Sequence, residues 1–178
     1  MSDTVTLEWS SDYLLSWTDF KAEHNPALFE DSKSVIKYRF TWTVNSEKIN
    51  GDVLFFIENI QLFTEFHPLL SSVRLSETND DLLKHEQGTF DLAELINRNN
   101  LKNLQDNFYQ KQFPTRGQNE DQRKQFAKID SGKMILSEVE KLEKLLEHQS
   151  QDYHEKTNYG QNKEKQSEFD VSFSKLRL

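Results

Sequence analysis

The spacing of apolar residues changes near residue 80, and this change limits the folds open to the chain more than any other feature. In residues 36–44 apolar and polar side chains alternate strictly, which predicts a strand with one buried and one solvated face. From about residue 80 onward, apolar side chains recur every three or four positions, as on one face of a helix. Strands in one half and helices in the other predict an α+β fold.

Further strands are predicted on both sides of this one. Residues 53–57 are apolar on both faces, and the Asn50-Gly51 turn before them predicts a hairpin with residues 36–44. Two short strands are predicted at residues 5–9 and 73–75. Residues 60–70 fit either a short helix or a loop packed inward.

Two long helices are predicted in the C-terminal half. The first covers about residues 80–108, and Thr78 or Asn79 would cap its N-terminus. The second covers about residues 120–149, with an expected kink at Ser131-Gly132. The helical stripe of each is expected to pack on the sheet.

The predicted architecture is a single domain covering residues 1–178. A small, twisted, mostly antiparallel sheet from the N-terminal half packs on two long helices from the C-terminal half. Residues 151–165 are polar and are expected to wrap the surface, while residues 169–176 fit either a short helix or a strand. A chain of 178 residues is long enough to bury a core of its own.

The composition excludes several classes of protein. An apolar content of 35% with 29% charged residues predicts a soluble domain, and a formal net charge of -8 argues against a general nucleic-acid or anionic-membrane binder. No apolar run approaches the roughly 20 residues that span a bilayer. The chain has no Cys, which excludes disulfides and thiolate metal sites. Residues 1–6 lack the features of a signal peptide, so the chain as written is expected to be cytoplasmic, or periplasmic or secreted if a leader preceded it.

The first long helix carries most of a zinc-peptidase motif. In H-E-x-x-H, two histidines four residues apart share one helix face and bind one metal, while the glutamate acts as general base for a metal-bound water. This chain has His85 and Glu86, but the second histidine position holds Thr89. A neutral hydroxyl is a poor zinc ligand beside imidazole or carboxylate.

Three segments match, in order, the pattern of one protein family. Residues 85–94 read H-E-Q-G-T-F-D-L-A-E, where the family typically has H-E-Q-G-H-F-D-[IL]-A-E. Residues 15–21 follow its L-x-W-x-D-F-K/G. Residues 153–166 follow its Y-D-x-x-T-x-H-G-x-x-x-x-x-Q, with His154 in place of the aspartate and Tyr159 in place of the histidine. The chain thus resembles a bacterial family of predicted, often secreted, zinc-dependent proteases that was long described only as a domain of unknown function.

The resemblance implies a zincin-like fold, in which a strand runs beside the motif helix and three side chains hold a zinc ion. His85 would be the remaining metal ligand, and Glu86 a vestigial general base. Thr89 and Tyr159 would occupy the two degenerate ligand positions. Because two of the three ligands are missing, the affinity for zinc is expected to be too low to bind the ion at ordinary free zinc concentrations. No cofactor is therefore expected.

Three functions are compatible with this motif. The favoured prediction is a catalytically inactive, metal-free homologue of a zinc peptidase that keeps a cleft along an edge strand for an unidentified peptide or protein. The alternative is an active metallopeptidase whose atypical zinc site adds Tyr159 to His85 and Glu86. His154 could complete that site only if its loop followed a different path. The third is a structural or partner-binding module that has lost the cleft.

Overall fold

A computed structural model describes residues 5–113 and 115–178, and it confirms the α+β class. Residues 1–4, the start of the segment compared above with signal peptides, lie outside the described residues. The strands are β1 (Leu7–Glu8), β2 (Ser32–Lys33), β3 (Ile36–Ile49), β4 (Asp52–Phe66), β5 (Ser72–Val73) and β6 (Gln112–Phe113). The helices are α1 (Asp80–Phe108), α2 (Glu120–Thr157) and α3 (Lys163–Ser174), with short 3₁₀ helices at Trp17–Asp19, Pro68–Leu70, Leu75–Glu77 and Lys175–Arg177.

The predicted hairpin is confirmed and is longer than expected. β3 and β4 pair antiparallel from Ile36 opposite Phe66 to Ile49 opposite Asp52, and Asn50-Gly51 joins them. Both turn residues have positive φ, 52° and 87°, as a type I′ turn requires. The prediction of a helix or loop for residues 60–70 is wrong up to Phe66, because β4 continues through that residue.

β4 is the central strand of the main sheet, and β3 forms one of its edges. β1 and β6 pair with the side of β4 that faces away from β3. Helix α2 satisfies two backbone groups on the outer edge of β3. Glu143 Oε1 accepts from the Tyr38 amide at 3.4 Å, and Lys128 Nζ donates to the Trp42 carbonyl at 2.5 Å. Side chains of α2 therefore cover part of the outer edge of β3, where an extended peptide would otherwise pair with the strand.

The helices of the C-terminal half differ from prediction mainly in where they end. The predicted bounds of α1 are confirmed, and the Asn79 side chain caps it by accepting from the Leu82 amide at 2.8 Å. α2 continues past residue 149 to Thr157, so residues 151–157 do not wrap the surface: Tyr153 and Thr157 are fully buried. A third helix, α3, follows. None of the helices among the described residues is both long enough and apolar enough to cross a membrane.

Helix α1 lies between two hydrophobic clusters, and this fixes the direction in which its motif faces. Leu92 and Ala93 belong to the larger cluster, which fills the space between the sheet and the helices. Phe90 belongs to the smaller cluster, which also contains Trp9 and Phe66. Because buried contacts lie on two sides of the helix, a rotation of α1 about its axis would expose apolar surface on one of them.

A kink was expected at Ser131-Gly132 of α2, and the glycine there admits a tryptophan ring. α2 is continuous through both residues. The indole Nε1 of Trp42 donates to the Ser131 hydroxyl at 2.9 Å, and a Cβ atom on Gly132 would lie 2.7 Å from the ring. Gly132 therefore allows strand β3 to pack closely on α2.

Gly132→Ala should lower the free energy of unfolding, although alanine is the better helix former. The gain in helix propensity is about 1 kcal/mol. Overpacking against the Trp42 ring typically costs about 1–3 kcal/mol and should exceed that gain. Urea unfolding measures the difference, with Ser137→Ala, at an exposed position of the same helix, as the control. A Gly132→Ala protein more stable than wild type would contradict the packing of Trp42 on α2.

Candidate functional site

His85 is fully buried in α1, and both of its ring nitrogens have partners. Nδ1 lies 3.1 Å from Gln166 Oε1 and 3.2 Å from Thr157 Oγ1. The Gln166 amide nitrogen donates to the Asp170 carboxylate, which only accepts, so its oxygen is the atom that faces His85. The proton of the His85 ring is therefore on Nδ1, and Nε2 carries the lone pair.

His154 provides the partner of that lone pair. Its Nδ1 lies 2.7 Å from His85 Nε2, so His154 is the donor in this bond. The prediction that His154 would need a different loop path is wrong, because residue 154 belongs to α2 rather than to a loop. A polar stretch of sequence thus places a second imidazole directly against the motif histidine.

Tyr159 packs against this histidine pair, on the ring of His154. Its ring stacks on His154, with centroids 5.2 Å apart and planes 12° apart, and lies 5.9 Å from the His85 ring. The residue has φ of 55°, in the left-handed region that a bulky side chain rarely adopts. Burial and the nearby Glu30 carboxylate raise the pKa of the Tyr159 phenol, so it stays protonated at neutral pH.

Glu86 is buried, and both of its carboxylate oxygens accept hydrogen bonds from serine hydroxyls. Ser32 Oγ donates to Oε1 at 2.5 Å, and Ser34 Oγ donates to Oε2. Strand β2 and the residue just beyond it supply these two hydroxyls. Sequence reasoning missed both serines; their spacing of two, which places side chains on one face of an extended segment, was the only available signal.

Thr89 forms a hydrogen bond with its own helix. Its hydroxyl donates to the His85 carbonyl at 3.4 Å, and the residue is buried. The same carbonyl also accepts from the Tyr153 hydroxyl at 3.0 Å. The structure therefore brings His85, Glu86, His154 and Tyr159 together, while the Thr89 hydroxyl is engaged by the helix backbone.

Burial keeps both imidazoles neutral. It lowers the pKa of His85 to about 4, against a partial opposing effect of the Gln166 hydrogen bond and Asp170. It also lowers the pKa of His154, and the adjacent His85 adds to this effect. Two neutral rings can share one N–H···N bond, whereas two imidazolium ions could not.

The resemblance implies zinc at residues 85, 89 and 159, and these three side chains do not fit it. Only His85 offers a strong donor, since the Thr89 hydroxyl is bonded to the backbone and the Tyr159 phenol is protonated. The separation of 2.7 Å between the imidazoles is a hydrogen-bond distance. Two nitrogens at about 2.0–2.1 Å from a tetrahedral zinc would lie about 3.3 Å apart. Within residues 5–113 and 115–178, no group of three or more His, Cys, Asp or Glu is arranged to hold a metal ion.

Two grooves lie beside the N-terminal turns of α1, and His85 lines neither of them. The acidic groove, of about 630 Å³, lies between the segment around Glu30 and the turn at Tyr159-Gly160. The apolar groove, of about 550 Å³, lies between α1 and α3 and is lined in part by Leu14 and Phe173. The larger groove of about 720 Å³ lies at the far end of α1 and contains none of the motif residues.

Comparisons with known proteins add no functional assignment to this geometry. No family profile, no curated protein and no solved structure matches the chain. The resemblance to zinc-dependent proteases therefore rests on the three sequence segments described above.

Gly88 gives a tyrosine access to the motif helix. A Cβ atom at this position would lie 2.1 Å from the Tyr153 hydroxyl oxygen. That hydroxyl donates to the His85 carbonyl and accepts from the Gln166 amide at 2.8 Å. The glycine of the H-E-Q-G run thus lets α2 approach α1 closely enough to enclose His85.

Gly88→Ala should therefore be strongly destabilising, by about 1–3 kcal/mol or more, because a methyl group and the Tyr153 hydroxyl would overlap. Equilibrium unfolding of this variant, of Tyr153→Phe and of the double variant measures the coupling between the two positions. The double variant should lose less stability than the two single changes predict when added. Strict additivity would mean that residues 88 and 153 are not in contact.

Stability should also fall on mild acidification. The folded-state pKa of His85, about 4, lies below the ordinary value of about 6.5, so the unfolded chain binds more protons between these values. The contribution of His85 to the free energy of unfolding should therefore be complete above about pH 6.5. It should decrease as the pH falls, by at most roughly 3 kcal/mol.

The measurement is urea unfolding from about pH 7.5 to 5, compared with two variants. His85→Gln should be less stable throughout but should have a shallower slope with pH. His148→Gln, at an exposed position of α2, should keep the wild-type slope. An identical slope in wild type and His85→Gln would contradict the burial of a neutral imidazole.

Proposed function

We propose that the protein is a catalytically inactive, metal-free relative of zinc peptidases that binds a peptide or protein partner beside its former active centre. One observation carries the proposal: the polar atoms that would do the chemistry are engaged by the protein itself. Both nitrogens of His85 and both oxygens of Glu86 have hydrogen-bond partners from other segments. The lone pair of the His85 ring is thereby occupied, and the buried Glu86 carboxylate is held by two hydroxyl groups.

The use of Glu86 supports this proposal most directly. A general base must reach a water molecule or substrate through an available lone pair. The carboxylate of Glu86 is buried and receives one serine hydroxyl on each oxygen. In this arrangement it joins β2 and the following residue to α1, which is a structural role.

The acidic groove is the surface we propose for the partner, because Tyr159 and Glu30 connect it to the motif. Four carboxylates and one lysine line it: Glu30, Asp31, Glu77, Asp81 and Lys163. Asp31 is paired with Arg74 at 2.5 Å and Asp81 with Lys163 at 3.8 Å, so the attraction rests on the other two carboxylates, Glu30 and Glu77. An exposed aromatic side chain, Phe29, lies at the same groove. This combination favours a positively charged peptide segment, since a cation gains both charge attraction and contact with aromatic faces.

The test combines peptidase and binding assays. Wild type should not cleave a fluorogenic peptide library, and it should bind a Lys/Arg-rich peptide more tightly than its Glu-substituted counterpart. Glu30→Gln with Glu77→Gln should weaken that binding, whereas Glu138→Gln, on α2 and away from the groove, should not. Cleavage by wild type that is lost in Glu86→Gln would contradict the proposal.

A metallopeptidase with an atypical zinc site is the second candidate, and the pairing of His85 with His154 favours it. Two imidazoles from different helices would supply two donors if they moved apart. The third donor would have to be Tyr159 or Glu86, and use of Glu86 as a ligand would remove the base. Zinc at one per chain in protein purified without chelator, lost in His154→Ala, would favour this candidate over the first.

A further inference from the structure

His154 has one ring nitrogen that the protein itself does not use. Its Nδ1 donates to His85 at 2.7 Å, so its Nε2 carries the lone pair. No described residue forms a hydrogen bond with this Nε2. The buried side-chain atoms that lack a partner in the described part of the chain belong to Trp17, Asp170 and Arg177, so Nε2 of His154 is open to solvent. It is therefore a hydrogen-bond acceptor that another molecule can reach.

Two carboxylates near this nitrogen, those of Glu86 and Glu30, have no counter-ion. Glu86 is buried and accepts hydrogen bonds on both oxygens, as an ionised carboxylate does. Among the described residues, neither Glu86 nor Glu30 forms an ion pair. The imidazoles of His85 and His154 are neutral, so they do not supply the missing positive charge. A buried charge without a counter-ion is costly, and a cation placed beside it would lower that cost.

The acidic groove gives access to this nitrogen through Glu30 and Tyr159, which both line it. The Tyr159 ring stacks on His154, with centroids 5.2 Å apart. Burial and His85 lower the pKa of His154, and the carboxylates of Glu86 and Glu30 oppose this effect, so both lie close to the ring. Burial, followed by Glu30, raises the pKa of Tyr159, which places the same carboxylate beside the phenol. A group bound in the groove next to Glu30 can therefore reach His154 Nε2.

We propose that His154 Nε2 and the Glu30 carboxylate together bind a primary ammonium group of the partner. The ammonium donates one hydrogen bond to each of these acceptors, and its charge compensates Glu30 and the buried Glu86. Its three donors point in different directions and suit two separate acceptors, whereas the planar fork of a guanidinium suits a single carboxylate. This inference rests on the function proposed above, because it names the group by which a basic peptide is held beside the motif.

Nitrogen NMR of the ¹⁵N-labelled full-length chain at neutral pH tests this contact with N-acetylated peptides that differ at one position, which holds lysine, arginine or trimethyllysine. The lysine peptide should move the His154 Nε2 resonance to lower frequency in a saturable manner, because the lone pair then accepts a hydrogen bond. Trimethyllysine has the same charge but no N–H donor. Its peptide should leave the resonance unchanged and bind at least about tenfold more weakly. The arginine peptide should also bind more weakly than the lysine peptide. The exposed His148 is the internal control and should show no shift.

A further peptide, with norleucine at the variable position and a free N-terminus, distinguishes the two sources of a primary ammonium. A shift of His154 Nε2 with this peptide and none with the acetylated lysine peptide would support the ammonium site and assign it to a chain terminus. Saturable binding of the lysine peptide without a shift would overturn the inference and leave the proposed function intact. Equal or tighter binding of the trimethyllysine or arginine peptide would do the same. If none of the cationic peptides binds, the function proposed above fails as well.

Discussion

The hydrogen bond between His85 and His154 is the interaction on which the arrangement of this site depends. An imidazole that is fully buried must find partners for both nitrogens, since an unsatisfied buried polar atom costs about 1–3 kcal/mol. One partner comes from α2 and the other from α3 and the end of α2. The motif histidine therefore connects three helices, α1, α2 and α3. The Tyr153 ring stacks on the His85 ring and is buried with it.

A second polar cluster stabilises the same helix two turns further on. The carboxylate of Asp91 accepts from the Trp9 indole at 2.8 Å and from the Gln87 amide at 3.0 Å, in addition to its bidentate pair with Arg177. Arg177 also lies over the Trp9 ring, 5.3 Å from its centroid. The N-terminal segment, α1 and the C-terminus thus meet at one carboxylate. Gln87 and Asp91, which follow His-Glu in the motif, thus have hydrogen-bond partners within the protein.

The sequence was sufficient for some elements because local patterns decide them. The bounds of α1 follow from its apolar period and the Asn79 cap, and the hairpin turn follows from Asn50-Gly51. The extension of β4 was missed because the pairing shifts at a bulge near Asn59, so the inward positions change from Ile57 to Ile60 and the simple alternation is lost.

Residue spacing predicted the candidate site only where the site lies within one element, whereas the resemblance also placed Tyr159 there. His85 and Glu86 could be assigned from adjacent residues on a helix. The contact of His154 could not, because it depends on where α2 ends and how α2 lies against α1. The polar composition of residues 151–157 concealed a buried face, since Tyr153 and Thr157 are accommodated there by hydrogen bonds that are formed only in the folded chain. The serines that bind Glu86 lie in β2 and just after it, remote in sequence from α1.

The most direct test of this account is the tautomeric state of the two histidines, observed by long-range ¹H–¹⁵N correlation at neutral pH. The account predicts that both rings are neutral and carry their protons on Nδ1, with the His85 Nε2 resonance shifted by a hydrogen bond. It also predicts that these resonances stay unchanged when zinc is added in excess. A shift of His85 Nε2 and His154 Nδ1 that saturates at one zinc per chain would contradict it and would make the histidine pair a metal site.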